Sequence, residues 1–305
     1  VRIPTHTFAN LIAQHVARGQ EQYETQQIRI ASNKRFLRRS EETVPAAQTA
    51  ELQQTRTLTE QTRKNLDFAN AWTAAAESRL TAMGDATARI REIAVQGGDP
   101  TLSQQGRKGL VQELDGLIED LLAQANATFE GAALFGGTNG ESQPVSPTRN
   151  ADGRVLGVTY ATNADTPRSM RIDDASRLSY GSATTGPHSP FVDAADGRDL
   201  FQSLIDLRDE LESGSTVQDS TMDALNTAFD GVSQQLVRTG MQSARLQSLK
   251  SQNQQTDVVQ QDRLSDLADI DLAAAITRLK ELEASLQASM RLATSISDLS
   301  IVNYI

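Results

Sequence analysis

Cysteine is absent from the 305 residues, which excludes disulfide frameworks, thiolate nucleophiles, zinc ribbons and iron–sulfur clusters. Such a chain can pass between redox compartments chemically unchanged. Histidine is scarce: His6, His15 and His188 are the only three, and their irregular spacing gives neither an HExxH pair nor another helical ligand pair. No metal, no cofactor and no histidine-based catalysis is expected. Aromatic residues make up 4%, with 8 Phe, 4 Tyr and 1 Trp, so packing must rest on Ala, Leu, Ile and Val. A large aromatic-lined ligand pocket is not expected. No apolar run approaches the roughly 18 residues of a membrane span, and the first nineteen residues are interrupted by Arg2, Pro4, His6, Asn10, Gln14 and His15. Neither a membrane anchor nor a Sec-type signal is expected.

Positive charge is also in deficit. The formal net charge is −10 with a pI near 4.9, which disfavours binding of nucleic acid or an anionic membrane by the surface as a whole. The distribution is uneven, however. Residues 1–40 carry Arg2, Arg18, Arg29, Lys34, Arg35, Arg38 and Arg39 against Glu21 and Glu24, a local +5 that leaves −15 on the remainder. Two readings fit: the solvated basic end of an amphipathic helix, or an arm that docks on an acidic partner.

What is abundant is helical periodicity. Leu66, Ala69, Trp72, Ala76, Leu80, Met83, Ala86, Ile90 and Ile93 fall three and four apart, the seam of a coiled-coil-like helix. Gly97, Gly98 and Pro100 stop it, residues 101–106 read as a loop, and Leu110, Leu114, Leu117, Leu121 and Ala125 resume the period. Helical spacing returns at Leu200, Leu204 and Leu207 and from Met222 through Leu225, Phe229, Val232, Leu236, Thr239, Ser243 and Leu246 to Leu249. The seam turns polar over 250–262, and the acidic stretch Ser265 to Asp271 suits a helix start, because carboxylates satisfy orphan N–H groups. A last amphipathic helix presents Leu272, Ile276, Leu279, Leu282, Leu286, Met290, Ala293, Ile296 and Leu299. At the other end Phe8, Ile12, Val16, Gly19, Tyr23 and Ile30 give a weaker face. The two ends are expected to pair, with neighbouring subunits supplying most of the stability of so thin a hairpin.

Between the helical blocks the composition shifts to Pro, Gly, Thr, Ser and Asp, with short alternating runs such as 155–160 and 169–172, so a small β-rich insertion is predicted. The expected organisation is an N-terminal arm at 1–40, rod helices at 41–134, the β-rich insertion at 135–197, further rod helices at 198–264 and a terminal amphipathic helix at 265–305. The fold class is thus mainly α: a long antiparallel helical coiled-coil rod built from both termini, carrying a small β-rich inserted domain.

Chemistry-bearing motifs do not stand up. Gly136, Gly137 and Gly140 lack the following Lys of a phosphate loop. Asp266, Asp269 and Asp271 lack the glycine and distal Glu of a calcium loop. Asp173 and Asp174 are adjacent and would face opposite ways in a strand, so they read as turn residues. Asn126-Ala127-Thr128 has the form of a glycosylation acceptor but falls within a predicted helix.

Other residues carry a resemblance. The stretch Arg89-Ile90-Arg91-Glu92-Ile93-Ala94-Val95-Gln96 resembles the arginine-rich end of the N-terminal helix in the flagellin superfamily, with Arg89, Arg91, Glu92, Ala94, Val95 and Gln96 as its marks. Ala31 to Glu51 is similar to that family's small-residue loop and Ala-rich helix start, with Asn33 where the family usually has Gly. Arg238, Gly240, Ala244, Arg245 and Leu246, with Asp269-Ile270-Asp271-Leu272-Ala273, are similar to its C-terminal region. The resemblance covers about residues 1–135 and 198–305. Within the superfamily, Arg2-Ile3, Leu286-Gln287-Ala288-Ser289 and the ending Leu299 to Ile305 resemble members at the hook–filament junction.

The resemblance implies a non-enzymatic axial protein of the bacterial flagellum, exported through the flagellar type III apparatus and extracellular once assembled. It implies hook-associated protein 1, flagellin, a ring of its own copies and a cytoplasmic export chaperone as partners, with no nucleic acid and no membrane. The assembly interface would comprise Phe8, Ile12, Val16 and Tyr23 with Leu272, Ile276, Leu279, Leu282, Leu286, Met290, Ile296 and Leu299. The alternatives are a flagellin filament subunit, a cytoplasmic signalling hairpin, which would lack a β insertion, and an enzyme built on the insertion.

Overall fold

The computed structural model describes residues 5–138, 143–161, 166–172 and 176–302, with side chains described from residue 10 to residue 295. Six helices account for most of it: α1 (Thr5–Ser32), α2 (Thr43–Gly97), α3 (Gln104–Ala125), α4 (Leu200–Ser213), α5 (Asp219–Ala268) and α6 (Leu272–Val302). The fold is mainly α, with long helices toward both termini and small strand pairs between the helical blocks. Asp173, Asp174 and Gly140 lie outside the described residues. The chain divides into two compact units, residues 60–254 and residues 1–59 with 255–305, and α2 and α5 contribute to both.

The unit of residues 60–254 holds a conventional core. Along α2, Leu66, Ala69, Trp72, Ala76, Leu80, Met83, Ile90 and Ile93 are fully buried, joined by Leu114, Ile118 and Leu121 of α3, Leu200, Leu204 and Leu207 of α4 and Leu225, Phe229 and Val232 of α5. At roughly 1.5–3 kcal/mol per fully buried large apolar side chain, this seam supplies the unit's main driving force. The helix ends follow from local chemistry. Pro45 sits in the first turn of α2, where no N–H is needed. That helix stops at Gly97, where a Cβ would lie 2.1 Å from Leu211 Cδ2 of α4.

The second helix of this pair starts earlier than the sequence pattern suggests. Ser103 is the N-cap of α3, its hydroxyl accepting from Gly106 N at 3.1 Å, so the predicted loop of 101–106 shrinks by three residues. Side-chain capping stabilises a turn that contains no apolar residue to reveal it. At the other end α3 stops at Ala125, so Asn126-Ala127-Thr128 is not helical: Asn126 is the C-cap and Thr128 begins a strand. The Asn126 amide both donates to Val145 O at 2.8 Å and accepts from Val145 N at 3.0 Å. It ties the backbone at Val145 to the helix end.

The strands form four separate antiparallel pairs: β1 (Thr128–Phe129) with β2 (Ala132–Ala133), β3 (Val145–Arg149) with β4 (Val155–Tyr160), β5 (Arg168–Arg171) with β6 (Arg177–Tyr180), and β7 (Val192–Asp193) with β8 (Arg198–Asp199). The first turns through Glu130 and Gly131, at φ 50° and 82°, the double left-handed geometry of a tight hairpin. The β3–β4 pair is fixed by arginines: Arg154 to Asp115 at 2.9 Å and to Glu212 at 2.7 Å, and Arg149 to Glu119. Arg208, 1% exposed, donates to Val155 O and pairs with Asp115 and Asp209. The β5–β6 pair lies on an aromatic cluster in which Trp72 meets Phe68, Phe129 and Tyr180, with the Arg168 guanidinium 4.5 Å from the Trp72 ring centroid. Burial raises the Tyr180 hydroxyl pKa there.

Candidate assembly interface

The unit formed by the chain's two ends is built differently. Its inner contact is α1 against α6. On α1 the residues turned inward are Ile12, Val16, Gly19, Tyr23, Gln26 and Ile30, at steps of four and three; on α6 they are Ala275, Leu279, Leu282, Leu286, Ser289 and Ala293, at the same steps. A Cβ on Gly19 would stand 3.5 Å from Leu286, the Gln26 amide donates to Ala275 O at 3.2 Å, and Ile270 N donates to Asn33 O at 3.4 Å. Rising numbers on one helix therefore meet falling numbers on the other. The two helices are antiparallel.

Both helices break at matched points. Arg35 N donates to Ala268 O at 2.8 Å and Lys34 bridges Asp269, so the loop after α1 lies alongside the three-residue interruption between α5 and α6. Asn33 makes that turn at φ 52°, which Asn tolerates better than most residues. Asp271 caps α6 by accepting from Ala273 N at 2.9 Å and Ala274 N at 3.1 Å, while Asp269 accepts from the Ser265 hydroxyl. Across the loop, Glu41 pairs with Arg29 at 2.8 Å. Partial burial pushes the Glu41 carboxyl pKa up, but the Leu37 N–H and the Arg29 guanidinium outweigh it and hold it below the usual range.

The α6 face differs from the expected one by a single step at both ends. Leu272, Ile276 and Met290 are 48%, 45% and 44% exposed, whereas Ala275 and Ser289 take the inward positions. Small side chains allow the two helices to approach closely. The larger apolar neighbours Ile276 and Met290 stand one residue further along the helix. Ile12, Val16 and Tyr23 face inward with Leu279, Leu282 and Leu286. The side chains of Phe8, Ile296 and Leu299 lie outside the described residues.

An unsatisfied apolar surface results. Among the described side chains of this unit, Ile12, Ala46 and Ala275 are the only buried apolar ones, whereas Leu11, Ile28, Leu37, Val44, Leu58, Val258, Val259, Leu272, Ile276, Met290 and Leu292 are exposed. A stable free-standing body would show the opposite balance. Leu11, Ile28 and Leu292 escape the sequence pattern because they stand off the seam, and the signal that finds them is a second apolar line beside the first.

Further along α2, the stretch from Arg89 to Gln96 is divided. Arg89 donates to Glu113 at 2.6 and 3.0 Å and to Glu92 at 2.6 Å. Those hydrogen bonds raise the Arg89 pKa and lower that of Glu113. Arg91 lies 5.4 Å from the Phe229 ring centroid, and Ala94 is buried. Val95, 66% exposed, and Gln96 face solvent. Among the described residues no group of His, Asp and Glu could hold a metal, and no helix is long and apolar enough to cross a membrane.

Residues 3–140 match the family of the bacterial flagellin N-terminal helical region. Beyond that region, flagellar hook-associated protein 3 of Escherichia coli is 26% identical over 286 residues, 89% of each chain. The protein of that name from Salmonella typhimurium is 25% identical over 289 residues, again 89% of each. The chain is a homologue of flagellar hook-associated protein 3. The fold agrees: a structure described as a flagellar hook-associated protein of Vibrio parahaemolyticus aligns with TM-score 0.65 at 16% identity, covering 75% of this chain and all of the other. A hook-associated homologue is a structural protein of the bacterial flagellum and not an enzyme. The packing of its two termini now has a context.

Proposed function

We propose that this chain is a structural subunit at the junction between the hook and the filament, and that it polymerises through α1 and α6. The observation that carries the reading is the inverted apolar balance of the terminal unit, which among its described side chains has three buried apolar residues and eleven exposed large ones. Subunit contacts would cover the exposed set. In this reading residues 1–40 and 265–305 form the assembly element, including Phe8, Ile296 and Leu299. Residues 41–134 and 198–264 form the supporting helices, and 135–197 an inserted module. Val95 and Gln96 belong to the contact surface, whereas Arg89, Arg91, Glu92 and Ala94 hold the helices beneath it.

The partners are hook-associated protein 1 on one side, flagellin on the other and copies of the same chain around a ring, with an export chaperone covering the C-terminal helix before type III secretion. A junction subunit presents unlike surfaces to its two neighbours, so its self-association closes or stalls. A flagellin would instead propagate into long filaments.

Two substitutions separate assembly from folding. Ile276→Asp places a charge on the exposed face and should leave the helical content and thermal unfolding of the purified chain unchanged, while reducing its incorporation into flagella at least about tenfold, since a buried unpaired charge is costly. Leu286→Asp enters the α1 contact and should lose helicity at the termini as well. Normal incorporation of Ile276→Asp in isolated flagella, judged by immunoblot, would contradict the reading.

A further inference from the structure

The basic arm carries both paired and unpaired cations. Of its cations, Arg29 pairs with Glu41 and Arg35 with Glu42, both at 2.8 Å, and the Arg18 guanidinium donates to Gln14 O. Lys34, Arg38 and Arg39 remain exposed and carry no ion pair among the described residues. All three belong to the ten-residue loop between α1 and α2. Lys34 and Arg39 also line a recess of about 160 Å³ with Phe36, Leu37, Ala46 and Thr49.

Thr49 makes the recess more than a charged patch. It is only 8% exposed, and its hydroxyl is buried without a hydrogen-bond partner. A buried, unused donor is destabilising unless something accepts from it. A carboxylate entering the recess would accept from that hydroxyl and meet Lys34 and Arg39, with Arg38 on the same loop outside the recess.

The same chain carries the complementary surface. On α5, Asp219, Asp223 and Asp230 are exposed, and none has a cationic partner among the described residues. Their spacing of four and seven puts them in one line along the helix. We infer that the Lys34–Arg39 loop of one copy docks on the Asp219–Asp230 face of α5 in a second copy. The contact is head-to-tail, joining unlike patches, so it fits a ring or a staggered row and not a two-fold dimer. This rests on the subunit reading above, and it adds a charge-dependent contact to the apolar one.

Purified full-length chains provide the test, by sedimentation velocity at low and high ionic strength. One variant carries Lys34→Glu, Arg38→Glu and Arg39→Glu; the other carries Asp219→Lys, Asp223→Lys and Asp230→Lys. Wild type should self-associate at low ionic strength and lose that association in high salt. Each variant alone should associate about tenfold more weakly, and their equimolar mixture should recover, because the reversed patches complement one another. Circular dichroism identical to wild type shows that both variants fold.

Wild-type association without salt dependence overturns the proposal, as does absence of association at low ionic strength. A mixture that fails to recover also overturns it. If only the loop variant is impaired, the loop docks on other carboxylates of the second copy, and the assignment to Asp219, Asp223 and Asp230 is wrong. The readout is association of the purified chain, so it stands or falls whether or not the protein is found at the junction.

Discussion

Arg208 shows how much one residue carries in the unit of residues 60–254. Its guanidinium is 1% exposed, yet it reaches Val155 O, Asp115 and Asp209, so one side chain on α4 ties a hairpin strand to α3. Arg208→Met keeps the volume but leaves Val155 O without this donor and Asp115 with Arg154 alone. The expected cost is about 2–4 kcal/mol, read as a lowered urea midpoint with unchanged slope. Nothing in the sequence marks this residue. A lone Arg between two leucine-spaced turns reads as solvent-facing, and only the folded hairpin shows that it is enclosed. Tyr160 is comparable: burial and the charge of Asp199, which accepts a hydrogen bond from its hydroxyl at 2.6 Å, push its pKa up and keep it neutral.

Among elements, the α2–α3 pair and the β3–β4 hairpin depend on carboxylates whose pKa values are held low. For Glu113 the cause is Arg89, for Glu119 it is Arg149, and for Asp99 it is the Thr101 hydroxyl followed by the Thr101 N–H. A depressed folded-state pKa means stability that is fully present above the unfolded value and lost as pH falls through the folded one. Urea midpoints should therefore be level near neutrality and decline below about pH 4.5, and Glu113→Gln with Glu119→Gln should flatten that decline. An undiminished acid slope in the double variant would show that other groups dominate. The helices were legible in the sequence because their apolar spacing is regular and long, as from Leu66 to Ile93. The ends of α3 were not: Ser103 and Asn126 act through single hydrogen bonds that leave no periodic trace. At the candidate interface Ile12, Val16, Tyr23, Leu279, Leu282 and Leu286 could be read from spacing. Ala275 and Ser289 could not, because close helix approach selects small residues that hydrophobicity overlooks.

For the whole molecule, charge and apolar surface are both divided unevenly along the chain. The first forty residues are +5 against −15 elsewhere, and among the described side chains the ends hold most of the exposed large apolar ones with almost none of the core. An element with so little buried surface opens locally at small free-energy cost, whereas a seam such as Leu66 to Ile93 opens only with its whole unit. On the proposed reading, covering the ends with neighbouring subunits would remove that difference. Amide hydrogen exchange measures it directly, comparing the purified chain with intact isolated flagella. In the free chain, residues 5–32 and 272–302 should exchange within seconds to minutes while 66–93 and 222–249 stay protected for hours; in flagella the terminal segments should become as slow as the core. Termini already protected in a verified monomer, or termini that stay fast after assembly, would contradict the claim that the chain polymerises through its paired ends.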